Sequence, residues 1–256
     1  MARNPAILWP FIIVGIFDAI SLLLIYLAPQ PPFSIVLAPP IRAFWGEKFL
    51  HYPQNFVLLP RLFGYAHIVI TAIIGVLMTG LAIGMLKDAK SGNKPAIAFN
   101  LIYALKRYFA VLAIWVIMFI IGGLVYRIPR LFASFSNRII PQVALYLSFL
   151  IVVLIQIAFI YAFPALIAEK RKLIQSIRRG FSTTRKYFLA TLIFLLLPSL
   201  IYIPILILRG KSIGLMNRFF PEVVLIVLGI GIILSVLIDC VVTCSTTVLF
   251  LGQEKS

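Results

Sequence analysis

The chain has 256 residues, 62% of them hydrophobic and 12% charged, with a mean hydropathy of +1.11. That composition excludes a soluble domain, whose helices keep a polar face, and continuous Leu/Ile/Val blocks exclude the alternation of a transmembrane barrel. The net charge of +16 comes with no nucleic-acid motif; Lys and Arg instead gather in loops that can face anionic head groups.

Apolar runs near 20 residues, each able to cross ~30 Å of hydrocarbon, predict an all-α polytopic membrane protein. It forms one domain over 1–256, with spans at about 7–28, 62–86, 108–126, 141–168, 187–208 and 222–251. The first run is expected to stay uncleaved, because Asp18 interrupts it and Pro29 follows the only small-residue exit at Leu27-Ala28. A Pro-rich outer loop follows, in which Ile41 to Leu50 carries Phe44, Trp45 and Phe49 among charges and suits a short interfacial helix. Span two carries Gly80 and Gly84, a spacing that lets a neighbouring helix pack closely. Ser91 to Pro95 reads as a turn, and Pro95 opens a short helix through Leu105.

Span three ends at Arg127-Ile-Pro-Arg130, span four opens at Pro141, and Pro198 and Pro204 are expected to kink span five. Fourteen Lys/Arg lie in the N-terminus, the stretches 87–107 and 169–186 and the tail, against nine in the other three loops. The positive-inside rule then places both termini in the cytoplasm. Leu105 to Ile114 (L-K-R-Y-F-A-V-L-A-I) echoes Thr184 to Ile193 (T-R-K-Y-F-L-A-T-L-I). Either a parallel duplication or a shared interfacial chemistry of basic and aromatic pairs accounts for the echo.

The residues able to carry chemistry are few. Asp18 and Asp239 each interrupt an apolar run, where an ionised carboxylate costs at least ~2.5–3.5 kcal/mol on insertion scales. At ~1.5 Å rise per residue both fall roughly 16–18 Å from the inner boundary. Ser235, Asp239, Thr243 and Thr246/Thr247 recur on one face of span six, with a lesser counterpart in Thr71, Gly75 and Thr79. One reading is a polar pathway for an ion or proton; the other is neutral carboxyls hydrogen-bonded between helices as glue. No Lys or Arg falls inside any of these spans, and His67, near the outer end of span two, is assigned to packing. Cys240 and Cys244 share a helix face and make no disulfide framework. No metal site, cofactor or catalytic motif is expected: there are two His in all, and no Walker, G-x-S-x-G or H-E-x-x-H pattern.

The most basic stretch runs from Glu169 to Phe188 (E-K-R-K-L-I-Q-S-I-R-R-G-F-S-T-T-R-K-Y-F). On a helix, Leu173, Ile174, Ile177 and Phe181 form an apolar stripe flanked by Lys170, Arg171, Lys172, Arg178 and Arg179. Gly180 would end that helix, and Ser182 to Thr184 would cap the next, beside Arg185 and Lys186. Such a segment docks on anionic lipid or on a partner such as a cytoplasmic ATPase.

This stretch, together with the loop before L-K-R-Y-F, resembles the YciC-like membrane proteins and the membrane domain attached to some glycerophosphodiester phosphodiesterases. The resemblance implies a six-helix membrane module; no phosphodiesterase domain is present, so that activity does not carry over. The expected role is a membrane accessory or scaffold module that binds lipid or a partner protein, with no catalysis of its own. A transporter-like subunit using Asp18 and Asp239 is the alternative, and a lipid head-group enzyme the third.

Overall fold

A computed structural model describes residues 4–131 and 139–253. The protein is all-α and polytopic: six segments, Pro5–Leu27, Gln54–Lys90, Ile97–Pro129, Val143–Ile167, Phe188–Gly210 and Val223–Gly252, are long and apolar enough to cross a membrane. Among the described residues there is no strand. The helices are α1 (Trp9–Leu27), α2 (Phe33–Trp45), α3 (Gln54–Ile70), α4 (Val76–Lys90), α5 (Ile97–Leu131), α6 (Ile139–Phe159), α7 (Ala162–Ile167), α8 (Leu173–Lys186), α9 (Phe188–Gly210), α10 (Ser212–Arg218) and α11 (Val223–Gly252). They fall into two compact units, one of Met1–Ile7, Val76–Leu197 and Val241–Ser256, the other of Leu8–Gly75 and Pro198–Cys240. Arg138 lies outside the described residues.

In the first unit α4 lies along α5. A Cβ on Gly80 would stand 3.2 Å from Cβ of Ala104, and one on Gly84 2.5 Å from Oδ1 of Asn100. Missing side chains on one helix thus admit small and polar ones on the other, and Asn100 donates to Oδ2 of Asp88 at 2.6 Å. The stretch 87–107, expected to be a loop with a separate short helix, keeps its turn at 91–96, but α4 runs into it as far as Lys90 and the helix that opens at Ile97 is not separate: it is the start of α5, which continues without a break to Leu131. Lys106 and Arg107 do not end a helix: their aliphatic stems can lie along it while the charged heads reach water. Span four, expected as one helix, divides after Phe159, and Pro164 in α7 has no N–H to bond back to Ile160.

The core of this unit packs Val76, Ile83, Val111, Ile114, Leu166 and Phe250 around buried Tyr161, whose hydroxyl meets Oγ1 of Thr191 at 2.6 Å. Helix α8 runs through Gly180 instead of ending there. A Cβ at Gly180 would lie 2.8 Å from the backbone nitrogen of Ala162, so this glycine serves close approach and not a cap. The face it buries is Ser176, Gly180, Thr183 and Thr184, and Thr184 donates to the Ile157 carbonyl at 3.0 Å. The expected apolar stripe is divided: Leu173 and Ile177 pack on the core, while Ile174 is 80% exposed. The two echoing stretches also differ in backbone. Lys106 to Phe109 sits inside unbroken α5, whereas Arg185 to Phe188 straddles the break between α8 and α9.

In the second unit α1 packs on α3 through Leu22, Phe56, Leu59 and Phe63, joined by Val224, Leu228 and Ile232 of α11. Gly15 lets α11 close in, since a Cβ there would stand 2.6 Å from Cγ2 of Val236. The Pro-rich stretch folds as helix α2 with Pro39 and Pro40 inside it, followed by a short 3₁₀ turn Glu47–Leu50 that buries Phe49 against Ala28 and Leu62. Proline cost is tolerable there because α2 is short and lies outside the six long segments. Between α3 and α4 the chain makes one π-helical turn, Thr71–Gly75.

Candidate functional sites

The first site is built in the second unit. On α1 the residues Phe11, Gly15, Asp18 and Leu22 are buried, a spacing of three and four that marks one helix face. Asp18 occupies a core position on that face and is 1% exposed. Its partner is His67, in the last turn of α3 and about 20 Å of helical rise from Gln54. Nδ1 of His67 lies 3.0 and 3.1 Å from the two carboxylate oxygens of Asp18, so an Nδ1–H donates to both. The assignment of His67 to packing is thereby corrected, as is the absence of a basic partner for Asp18. Because Gln54–Lys90 is one long apolar segment, His67 lies inside it and not at its edge.

Asp239 on α11 stands within electrostatic reach of both His67 and Asp18. Asp18 and Asp239 are each one helical turn from the Gly15–Val236 contact. Their surroundings differ. Asp239 reaches the surface of α11, yet protein closely surrounds its carboxyl, and among the described residues it has no hydrogen-bond partner. With Nδ1 committed to Asp18, Nε2 of the ring is left as its second proton site, and the His67 side chain is 41% exposed. A π-helical turn begins four residues on; such turns recur beside functional residues.

Two further residues of this unit complete the surroundings. Tyr202 interacts electrostatically with Arg209, Asp239 and Asp18. Arg209 falls within α9, which runs past the expected limit of span five, so a guanidinium does lie in an apolar segment. It sits over the rings of Phe63 and Tyr202, 5.8 and 5.5 Å from their centroids, in space that Gly231 leaves open. Its Nε is buried without a hydrogen-bond partner among the described residues. Length signals alone could have placed His67 and Arg209 inside their helices; the pairing of His67 with Asp18 has no sequence signal.

The polar face of α11 is less continuous than its spacing suggests. Ser235 donates to its own Ile232 carbonyl at 2.8 Å and Thr246 to Val242 at 2.7 Å, as hydroxyls on apolar helices do. Thr243 is half-buried and belongs to the other unit. Cys240 and Cys244 are buried and form no disulfide. Among the described residues no three His, Cys, Asp or Glu side chains group as metal ligands.

The second site lies in the first unit, where α7 turns into α8. An open surface depression, a cavity of about 850 Å³, is lined by Lys87, Ala168, Glu169, Lys170, Arg171, Gln175 and Arg179. Glu169, with its side chain 9% exposed, accepts from Nε of Arg171 and from Nε of Arg179, the latter at 3.3 Å. Lys87 donates to the Ala168 carbonyl and Arg107 to that of Lys170. Lys172, Arg178, Arg185 and Lys186 are exposed and line no part of this cavity. The structure thus separates two groups that the sequence merges: cations drawn around Glu169, and cations that face outward.

Compared with known proteins, the chain matches no family model, no curated protein and no solved structure.

Proposed function

We propose that the protein is a permease-like component of a prokaryotic cytoplasmic membrane, with both termini in the cytoplasm, and that Asp18, His67 and Asp239 bind and relay a proton or another monovalent cation. It has no catalytic activity of its own. The observation that carries this reading is the asymmetry of the two acids. A pair serving only as glue would leave both carboxyls satisfied. Asp18 is held by His67, whereas Asp239 lies within an apolar segment and lacks a hydrogen bond among the described residues. An acid without a hydrogen bond in an apolar segment is costly unless it meets water, a proton or a cation, and His67, whose charge is felt by Asp239, keeps Nε2 as a second proton site. The orientation rests on the excess of Lys and Arg, fourteen against nine.

The test is solid-supported-membrane electrophysiology on proteoliposomes of the full chain, with concentration jumps of H⁺, Na⁺ and K⁺. A saturable current for one of these is expected, falling at least tenfold in Asp239→Asn while the variant stays monodisperse. No current beyond that of empty liposomes, or an unchanged current in Asp239→Asn, would sink the reading.

A second reading, an accessory module docking on lipid or on a partner protein, is supported by the outward face of α8. Exposed Arg178, Arg185 and Lys186 flank the first unit there, with Ile174 80% exposed beside them. The YciC-like resemblance agrees with such a module and adds no activity.

A further inference from the structure

We infer that the cavity at the start of α8 is a binding site for a phosphate group carried by an anionic head group. The inference deepens the docking reading and is independent of the cation site. Four cations line the cavity, Lys87, Lys170, Arg171 and Arg179, against the one carboxylate of Glu169. The carboxylate does not cancel them; it orients them. Each arginine gives Nε to Glu169, which leaves the terminal nitrogens of both guanidiniums to meet a second acceptor, the geometry that suits phosphate oxygens. Because Glu169 is nearly sealed from solvent, this arrangement is built in and not a chance meeting of surface chains.

The backbone is shaped to the same end. Lys170 is the one non-glycine residue with positive φ, at 57°, among the described residues, a conformation that costs energy for a lysine. Its carbonyl is held by Arg107, and its ammonium stands 5.4 Å over the Tyr103 ring. Lys87 holds the neighbouring Ala168 carbonyl. Carbonyls of the turn are thereby drawn toward lysine and arginine donors. The 14-residue helix α8 then begins without a side-chain cap at Lys172, and its first backbone bond is Ser176 to Lys172. The three amides before Ser176 are therefore spare donors at the positive end of a helix, and Gln175 of that turn lines the cavity. Cavity, oriented guanidiniums and uncapped helix start converge on one acceptor-rich, negatively charged group. A phosphodiester or phosphate monoester fits; a carboxylate offers fewer oxygens for so many donors.

The experiment is native mass spectrometry of the full chain in mild detergent, titrated separately with a short-chain phosphatidylglycerol and with inorganic phosphate. The wild type is expected to bind one equivalent saturably. Lys170→Asn, which keeps the left-handed backbone and breaks no buried pair, should raise Kd at least fivefold, and Lys170→Asn with Arg179→Gln at least twentyfold. Arg185→Gln with Lys186→Gln, outside the cavity, should change it less than twofold. Tight binding of the lipid with weak binding of phosphate would assign the group to a membrane head group; equal binding would assign it to a soluble phosphate ester. Equal losses in the cavity and face variants would overturn the inference in favour of diffuse surface charge, as would the absence of a saturable equivalent. Because these variants leave Asp18, His67 and Asp239 untouched, their failure would not bear on the cation current.

Discussion

Replacing His67 by leucine removes the one hydrogen-bonding partner that Asp18 has among the described residues and leaves that carboxylate 1% exposed. On insertion scales an acid at a helix centre costs about 2.5–3.5 kcal/mol. His67 itself is 41% exposed on its side chain, so some of the pair's strength is already lost to surroundings, and the lower end of that range is expected. The reverse change, Asp18→Leu, is milder. It removes a buried acid and leaves a half-exposed imidazole able to find other partners, at a cost of about 1 kcal/mol. Replacing both by leucine should cost little more than the milder single change, because no uncompensated polar group remains. The double-mutant cycle should therefore return a coupling of about 2 kcal/mol. That figure decides between two accounts, since ordinary interhelical hydrogen bonds in membranes average about 0.6 and reach about 1.7 kcal/mol. The measurement is reversible unfolding of the four proteins in mixed micelles of fixed composition. A coupling at or below about 0.6 kcal/mol would refute the reasoning and reduce the pair to common glue.

Two further outcomes test the packing of the first unit. Gly180→Val should lower thermal stability in detergent by about 1–3 kcal/mol, because its Cβ meets the Ala162 backbone, which cannot move aside as a side chain would; an unchanged melting temperature would contradict the close approach. Tyr161→Phe removes a buried hydroxyl, but Thr191 still donates to the Tyr187 carbonyl at 2.8 Å, so the expected loss is only about 1 kcal/mol, and a loss above about 3 kcal/mol by the same unfolding measurement would show that Thr191 depends on the tyrosine.

Much of the architecture was legible because one physical signal dominates it: runs long enough to cross hydrocarbon. The six segments follow from that, and so does the Gly80/Gly84 approach, since a missing side chain on a four-residue period has one use inside a bilayer. Boundaries were misjudged where charge was taken for an ending. Lys106, Arg107 and Arg209 all sit on helices; the heads of the first two can reach water along their apolar stems, while that of Arg209 packs over Phe63 and Tyr202. Gly180 was misread for a different reason. A glycine near the end of an amphipathic stretch suits both a cap and a close contact, and only the position of Ala162 separates them. Pro39 and Pro40, ordinarily breakers, lie inside α2. His67 was invisible as a partner because its significance depends on which residue of another helix stands opposite it.

The two acids of the second unit carry the last step. Asp18 and Asp239 share a residue type, an apolar setting and one neighbour, His67, yet one is hydrogen-bonded through both oxygens while the other has no hydrogen bond among the described residues. A structural device needs no such contrast; it is strongest when both carboxyls are satisfied and neither titrates. His67 commits one nitrogen to the sealed acid and keeps the other, which is the arrangement of a relay element whose orientation is fixed and whose second nitrogen remains available. Arg209 adds a positive charge to the same unit without a bond at Nε, with Tyr202 in electrostatic contact with it and with both acids. The unit therefore holds two acids, a half-committed imidazole and an incompletely bonded guanidinium in segments where each is costly. Stability alone gives no reason for that set; the proposed passage of a cation among them gives one.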